Sequence, residues 1–133
     1  MSTLVVAHYL DGRMAKGTSM DVDPLKPLCH IRPEGQPALE VKLADLKALY
    51  FVRTLGGDPK HREAEKTEPE DSRTRGAKGI QITFKDGEKL VGLTHHFPPV
   101  RQFFFVLPID PKSNNVRILI NKAATKDVAA AAV

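Results

Sequence analysis

The residues able to do chemistry in this chain are few and scattered. There are five histidines: His8, His30, His61, His95 and His96. His95 and His96 are adjacent, so on a strand they point to opposite faces and cannot hold one ion together. The others share no ligand spacing with them, and zinc sites need roughly three or four converging ligands. No metal is expected. Cys29 is the single cysteine and has no CxxC partner, which excludes a disulfide framework and any multi-cysteine metal site. Asp11 and Asp86 belong to Asp-Gly turns, and Asp21 and Asp23 flank a loop. No GxSxG, Walker loop or dinucleotide fingerprint is present, and Gly56-Gly57 lacks the Lys-Ser/Thr and helix of a phosphate cradle. The sequence therefore assigns no catalytic residue and no cofactor.

Binding residues stand out more clearly than catalytic ones. Lys26 and Arg101 each lie two residues after a proline, Pro24 and Pro99. Paired about a pseudo-twofold axis, they would present two equivalent cations to a phosphate-bearing ligand or an acidic partner. Arg73 and Arg75 are two further candidate anion contacts. Phe105 and Leu107 place apolar side chains where the comparable strand of the first half, Leu28–Arg32, presents His30 and Arg32, and Phe103 matches Leu28. A soluble strand does not expose several large apolar groups without a use. These three are the candidate interface, either between the halves or toward a protein partner or second copy. Ser113-Asn114-Asn115 reads as a turn.

What positions these residues is an internal repeat at an offset of 75. Residues 5–33 set on 80–108 give five identities in 29 gapless columns: Asp11/Asp86, Gly12/Gly87, Gly17/Gly92, Pro24/Pro99 and Pro33/Pro108. All five are residues that hold backbone geometry. Each half reads as five short strands. The first strands, Leu4–Tyr9 and Ile80–Phe84, alternate apolar and polar residues. Asp-Gly then makes a tight hairpin, because glycine takes positive φ without penalty. Met14–Met20 and Lys89–His95 follow, then Leu28–Arg32 and Phe103–Leu107. The fourth strands are Leu39–Leu43 and Val116–Ile120. A short turn precedes the last strands, Ala48–Val52 and Lys126–Val128.

The expected organisation is mainly β: two tandem five-stranded small barrels, residues 1–53 and 80–128, joined by a polar flexible linker over 54–79. Residues 129–133 are expected to fray. Closure into barrels would remove exposed edges from units this small.

The whole chain has 133 residues, with 41% hydrophobic and 27% charged, an ordinary globular composition. No apolar run reaches the length of a membrane span, and no basic-then-apolar leader opens the chain. With one cysteine, this predicts a cytoplasmic protein with no membrane partner. Lys and Arg total 20 against 16 Asp and Glu, a balance that permits a nucleic-acid partner without demanding one.

The strand order resembles that of SH3-like and Sm-like small barrels. Particular residues are also similar to an uncharacterised bacterial domain family of unknown function. They are Phe84-Lys85-Asp86-Gly87-Glu88, Gly92 with Thr94, Phe104 to Pro108 and Asp110-Pro111-Lys112-Ser113-Asn114-Asn115. The first half adds Asp11-Gly12-Arg13, Asp45 to Val52 and Gly57-Asp58-Pro59. The resemblance implies a bacterial cytoplasmic setting and no assigned activity. The function expected is a noncatalytic protein-interaction or regulatory module. An Sm-like nucleic-acid binder is an alternative, though the Asp-x-apolar-Asn loop of that family is missing. A third is a cyclic-dinucleotide sensor resembling PilZ barrels. Asp71-Ser72-Arg73-Thr74-Arg75-Gly76 has that family's residue types but not their spacing.

Overall fold

A computed structural model describes residues 2–57, 59–64, 67 and 71–132. The chain is mainly β. Its strands are β1 (Thr3–Tyr9), β2 (Met14–Ser19), β3 (Leu28–Ile31), β4 (Leu39–Lys42), β5 (Leu46–Val52), β6 (Lys78–Phe84), β7 (Lys89–Thr94), β8 (Phe103–Pro108), β9 (Asn115–Asn121) and β10 (Thr125–Ala130). Short 3₁₀ turns precede β5, β6 and β10. Among the described residues no helix is long and apolar enough to cross a membrane.

Eight strands form one antiparallel sheet in the order β10-β6-β7-β8-β9-β5-β1-β2. β3 and β4 pair separately, and β3 reaches β2 through a bridge between Thr18 and Arg32. The two halves of the chain are thus joined along one seam, where β5 pairs β9 from Ala48↔Ile120 to Val52↔Asn115.

Local detail recurs between the halves. Tyr9 and Phe84 each open a hairpin whose glycine, Gly12 or Gly87, has φ of 93° or 95°. In each, the fourth residue on closes the turn: the Tyr9 amide donates to Arg13 O and the Phe84 amide to Glu88 O. The next amides, of Leu10 and Lys85, donate to Asp45 O and Ala124 O. Gly17 and Gly92 lie so close to the next strand that a Cβ on either would overlap a backbone carbonyl, of Arg32 or Leu107.

Two apolar clusters fill the interior. One gathers Val5, Ala7, Cys29, Ile31, Val41, Leu43, Leu46, Leu49, Phe51 and Leu119, among others. The second gathers Ala48, Ile80, Ile82, Phe84, Phe104, Val106, Ile118, Ile120 and Ala124. The seam strands feed both, because successive side chains of a strand point to opposite faces. On β9, Leu119 enters the first cluster while Ile118 and Ile120 enter the second.

Two expectations need correction. The end of the chain does not fray from residue 129. Ala129 and Ala130 pair with Gln81 and Ile80, and the Ala131 amide donates to Gly79 O at 2.9 Å. Small side chains do not prevent this, since the ladder is made by the backbone. Val133 lies outside the described residues. Nor are the described residues of 54–79 a free linker. Thr54 shares three hydrogen bonds with Asn114, and Ser72–Thr74 form a 3₁₀ turn capped by Asp71. Asp58, Glu65, Lys66 and residues 68–70 lie outside the description.

Candidate functional site

The site grows from the way β7 ends. Past Thr94 the chain enters His95-His96-Phe97-Pro98-Pro99. Proline has no amide to donate into a ladder, and β7 accompanies β8 only through Gly92↔Pro108 and Leu93↔Leu107. The Phe97–Pro98 peptide is cis. β8 itself alternates cleanly. Phe104 and Val106 are buried in the second cluster, while Phe103 and Phe105 are half-buried and lean on the first. Leu107 is half-buried on the same side.

Where β7 leaves, a cavity of about 580 Å³ opens. Phe103, Phe105, Leu107 and Leu93 form apolar wall, and Arg101 and Arg117 bring two cations to it. His95, His96, Pro99 and Val100 come from the departing loop. Among the described residues no Asp or Glu lines it. The Arg117 guanidinium lies 4.3 Å from the Phe51 ring centre and 4.4 Å from that of Phe105, stacking worth about 0.5–2 kcal/mol. It thereby holds an exposed charge in a fixed place over an aromatic floor.

The structure brings together four sequence-predicted residues, Arg101, Phe103, Phe105 and Leu107, and separates the rest. Lys26 is exposed in a turn whose amide donates to Asp23 O, and does not line the cavity. Arg73 is engaged elsewhere. Its guanidinium donates to both oxygens of Asp71 and to the carbonyls of Pro108 and Ile109, and it holds the Asp71 carboxyl below the usual aspartate range. Arg75 is exposed and also outside the cavity. Arg117 was not anticipated. The signal available was a cation inside the otherwise apolar strand Val116–Ile120.

Other chemistry-bearing groups are structural. His61, Glu63 and Asp110 offer ligand atoms within 4.8 Å of one another. However, Asp110 Oδ2 already accepts from the His61 ring at 2.7 Å and the Ala64 amide at 3.0 Å, and Oδ1 from the Lys112 amide at 2.8 Å. Burial alone would push the Asp110 carboxyl up; those amides and the imidazole reverse this and hold it below the ordinary value. The group latches the connecting segment to the β8–β9 turn. Cys29 is fully buried, and burial pushes its thiol up to about 11, leaving it a packing residue rather than a nucleophile. Burial likewise pushes Tyr50 up to about 12.

On β3 of the first half, Asp21 covers the outward edge at His30. The His30 amide donates to Asp21 Oδ1 at 2.8 Å, and the His30 ring meets Asp21 Oδ2 at 2.6 Å. The Ser19 hydroxyl donates to the same carboxylate at 3.2 Å.

Residues 1–132 match the model of a family of unknown function, DUF6982, and the chain belongs to that family. No curated protein matches the chain, and no solved structure does.

Proposed function

We propose that the chain is a noncatalytic protein-interaction module, docking a partner in the cavity beside β8. The observation that carries this is the pairing of an apolar floor, Phe103, Phe105 and Leu107, with two rim cations, Arg101 and Arg117. Apolar burial supplies affinity and charge supplies selectivity. The lone buried cysteine suits a cytoplasmic setting. The cyclic-dinucleotide reading loses support, because Arg73 is engaged by Asp71 and two carbonyls.

We also infer that the halves are copies of one SH3-like barrel unit. The matching hairpins and the close-packed glycine pair, Gly17 and Gly92, support this. So does the pairing of each last strand with its own first, β5 with β1 and β10 with β6.

The test is capture of partners from nuclease-treated native lysate, with wild type beside Val100→Glu. Val100 lines the cavity yet is 86% exposed, so the change spares the core. Protein partners kept by wild type and lost by Val100→Glu are expected. Loss of every partner on nuclease treatment would instead favour the nucleic-acid reading and turn attention to Lys26 and Arg101.

A further inference from the structure

The backbone of β8 shows what kind of segment the cavity takes. In an antiparallel ladder, successive residues turn their amide and carbonyl alternately to one neighbouring strand and the other. The Lys122 amide donates to Gln102 O at 2.7 Å, which sets the phase. Phe104 and Val106 turn toward β9, and Phe103, Phe105 and Leu107 toward β7. Leu107 finds Leu93 there. Phe103 and Phe105 find no strand, because β7 has ended. The Phe105 carbonyl accepts a long bond, 3.5 Å, from the Thr94 hydroxyl. Among the described residues no side chain accepts from the Phe105 amide.

The first half shows the same position filled. His30 stands in the column of Phe105, and Asp21 in the column of His96. There the chain supplies its own carboxylate to the open amide. In the second half the carboxylate is missing, the outward side chain has become apolar, and a cavity with Arg101 and Arg117 lies in its place.

We propose that this open edge of β8 receives an extended segment of a partner protein carrying an Asp or Glu among apolar residues. Its carboxylate accepts from the Phe105 amide, as Asp21 does from His30. Its apolar neighbours lie on Phe103, Phe105 and Leu107, and Arg101 and Arg117 complement its charge. A carboxylate on a backbone amide in a partly dry site makes one of the stronger hydrogen bonds, and an open strand edge is a known docking mode for extended chains. The inference rests on the protein-interaction reading and adds the chemistry of the partner segment.

The experiment pans short random peptides with blocked ends on the full-length protein, then measures the enriched peptides against wild type and His96→Asp. His96 is exposed, and the substitution restores an internal carboxylate at the column of Asp21. Wild type is expected to enrich peptides with an acidic residue between apolar ones. Changing that residue to its amide should weaken binding about tenfold to a hundredfold. His96→Asp should weaken binding comparably while the melting temperature does not fall. Enriched peptides indifferent to the acid-to-amide change, or bound equally by His96→Asp, would overturn the inference and leave the protein-interaction reading standing. No enrichment on wild type, or displacement of every peptide by an RNA oligonucleotide, would overturn both.

Discussion

The seam strands β5 and β9 and the outer strands β10 and β4 have different surroundings. β5 and β9 pair with each other, and over residues 48–51 and 118–120 their side chains enter both clusters or pack against them. β4 and β10 each have one strand partner, and Glu40, Lys42, Lys126 and Asp127 point to solvent. The side chains explain the difference. A strand buried on both faces reads as a continuous apolar run, and a half-exposed one alternates. Ala48-Leu49-Tyr50-Phe51-Val52 and Ile118-Leu119-Ile120 are such runs; Leu39-Glu40-Val41-Lys42 and Thr125-Lys126-Asp127-Val128 are not. Charged residues at an edge also discourage a further strand from adding there. A strand thus becomes a joint or a boundary according to whether its second face is apolar.

The largest effect is expected at the seam. Ile120 is fully buried in the second cluster, and Ile120→Ala should cost about 2–5 kcal/mol, read as a lower urea midpoint. A loss under 1 kcal/mol would mean the seam is not the tightly packed joint described.

A smaller effect is expected where the connecting segment is latched. The folded Asp110 carboxyl titrates below an unfolded aspartate. Its contribution to stability is therefore complete above the ordinary aspartate range and is lost as pH falls through the folded value. Wild type should be more stable than Asp110→Asn at neutral pH, and the gap should close on acidification. A gap that persists unchanged at low pH would contradict the latch.

The smallest effect belongs to the outer edge. Lys126→Ala on β10 should change stability by no more than about 0.5 kcal/mol. A large loss would show that β10 is not a solvent-facing edge.

Much of this architecture was legible in the residues. Asp11-Gly12 and Asp86-Gly87 announced their hairpins because positive φ at the second position restricts the residue choice. Strand positions followed from alternation. The joining of the halves was not legible: β5 and β9 are continuous apolar runs, and a run of that kind does not name its partner. Two further features were not legible. Arg73 could not be assigned to Asp71 and the carbonyls of Pro108 and Ile109, because those carbonyls are brought near only by folding. The open edge of β8 depends on where β7 stops accompanying it, which is a matter of pairing and not of residue type. Of the residues lining the cavity, Phe103, Phe105, Leu107 and Arg101 are also sequence candidates, and Arg117 is not.

The two-faced character of β9 bears on the order in which the chain can complete itself during synthesis. Everything up to Arg53 can emerge from the ribosome, yet the first cluster still lacks Leu119 and the flanking Phe103 and Phe105. Those arrive only after most of the second half has been made. The first cluster gains its last buried side chain with Leu119, and the pairing of β5 with β9 is a long-range contact of the kind that slows folding.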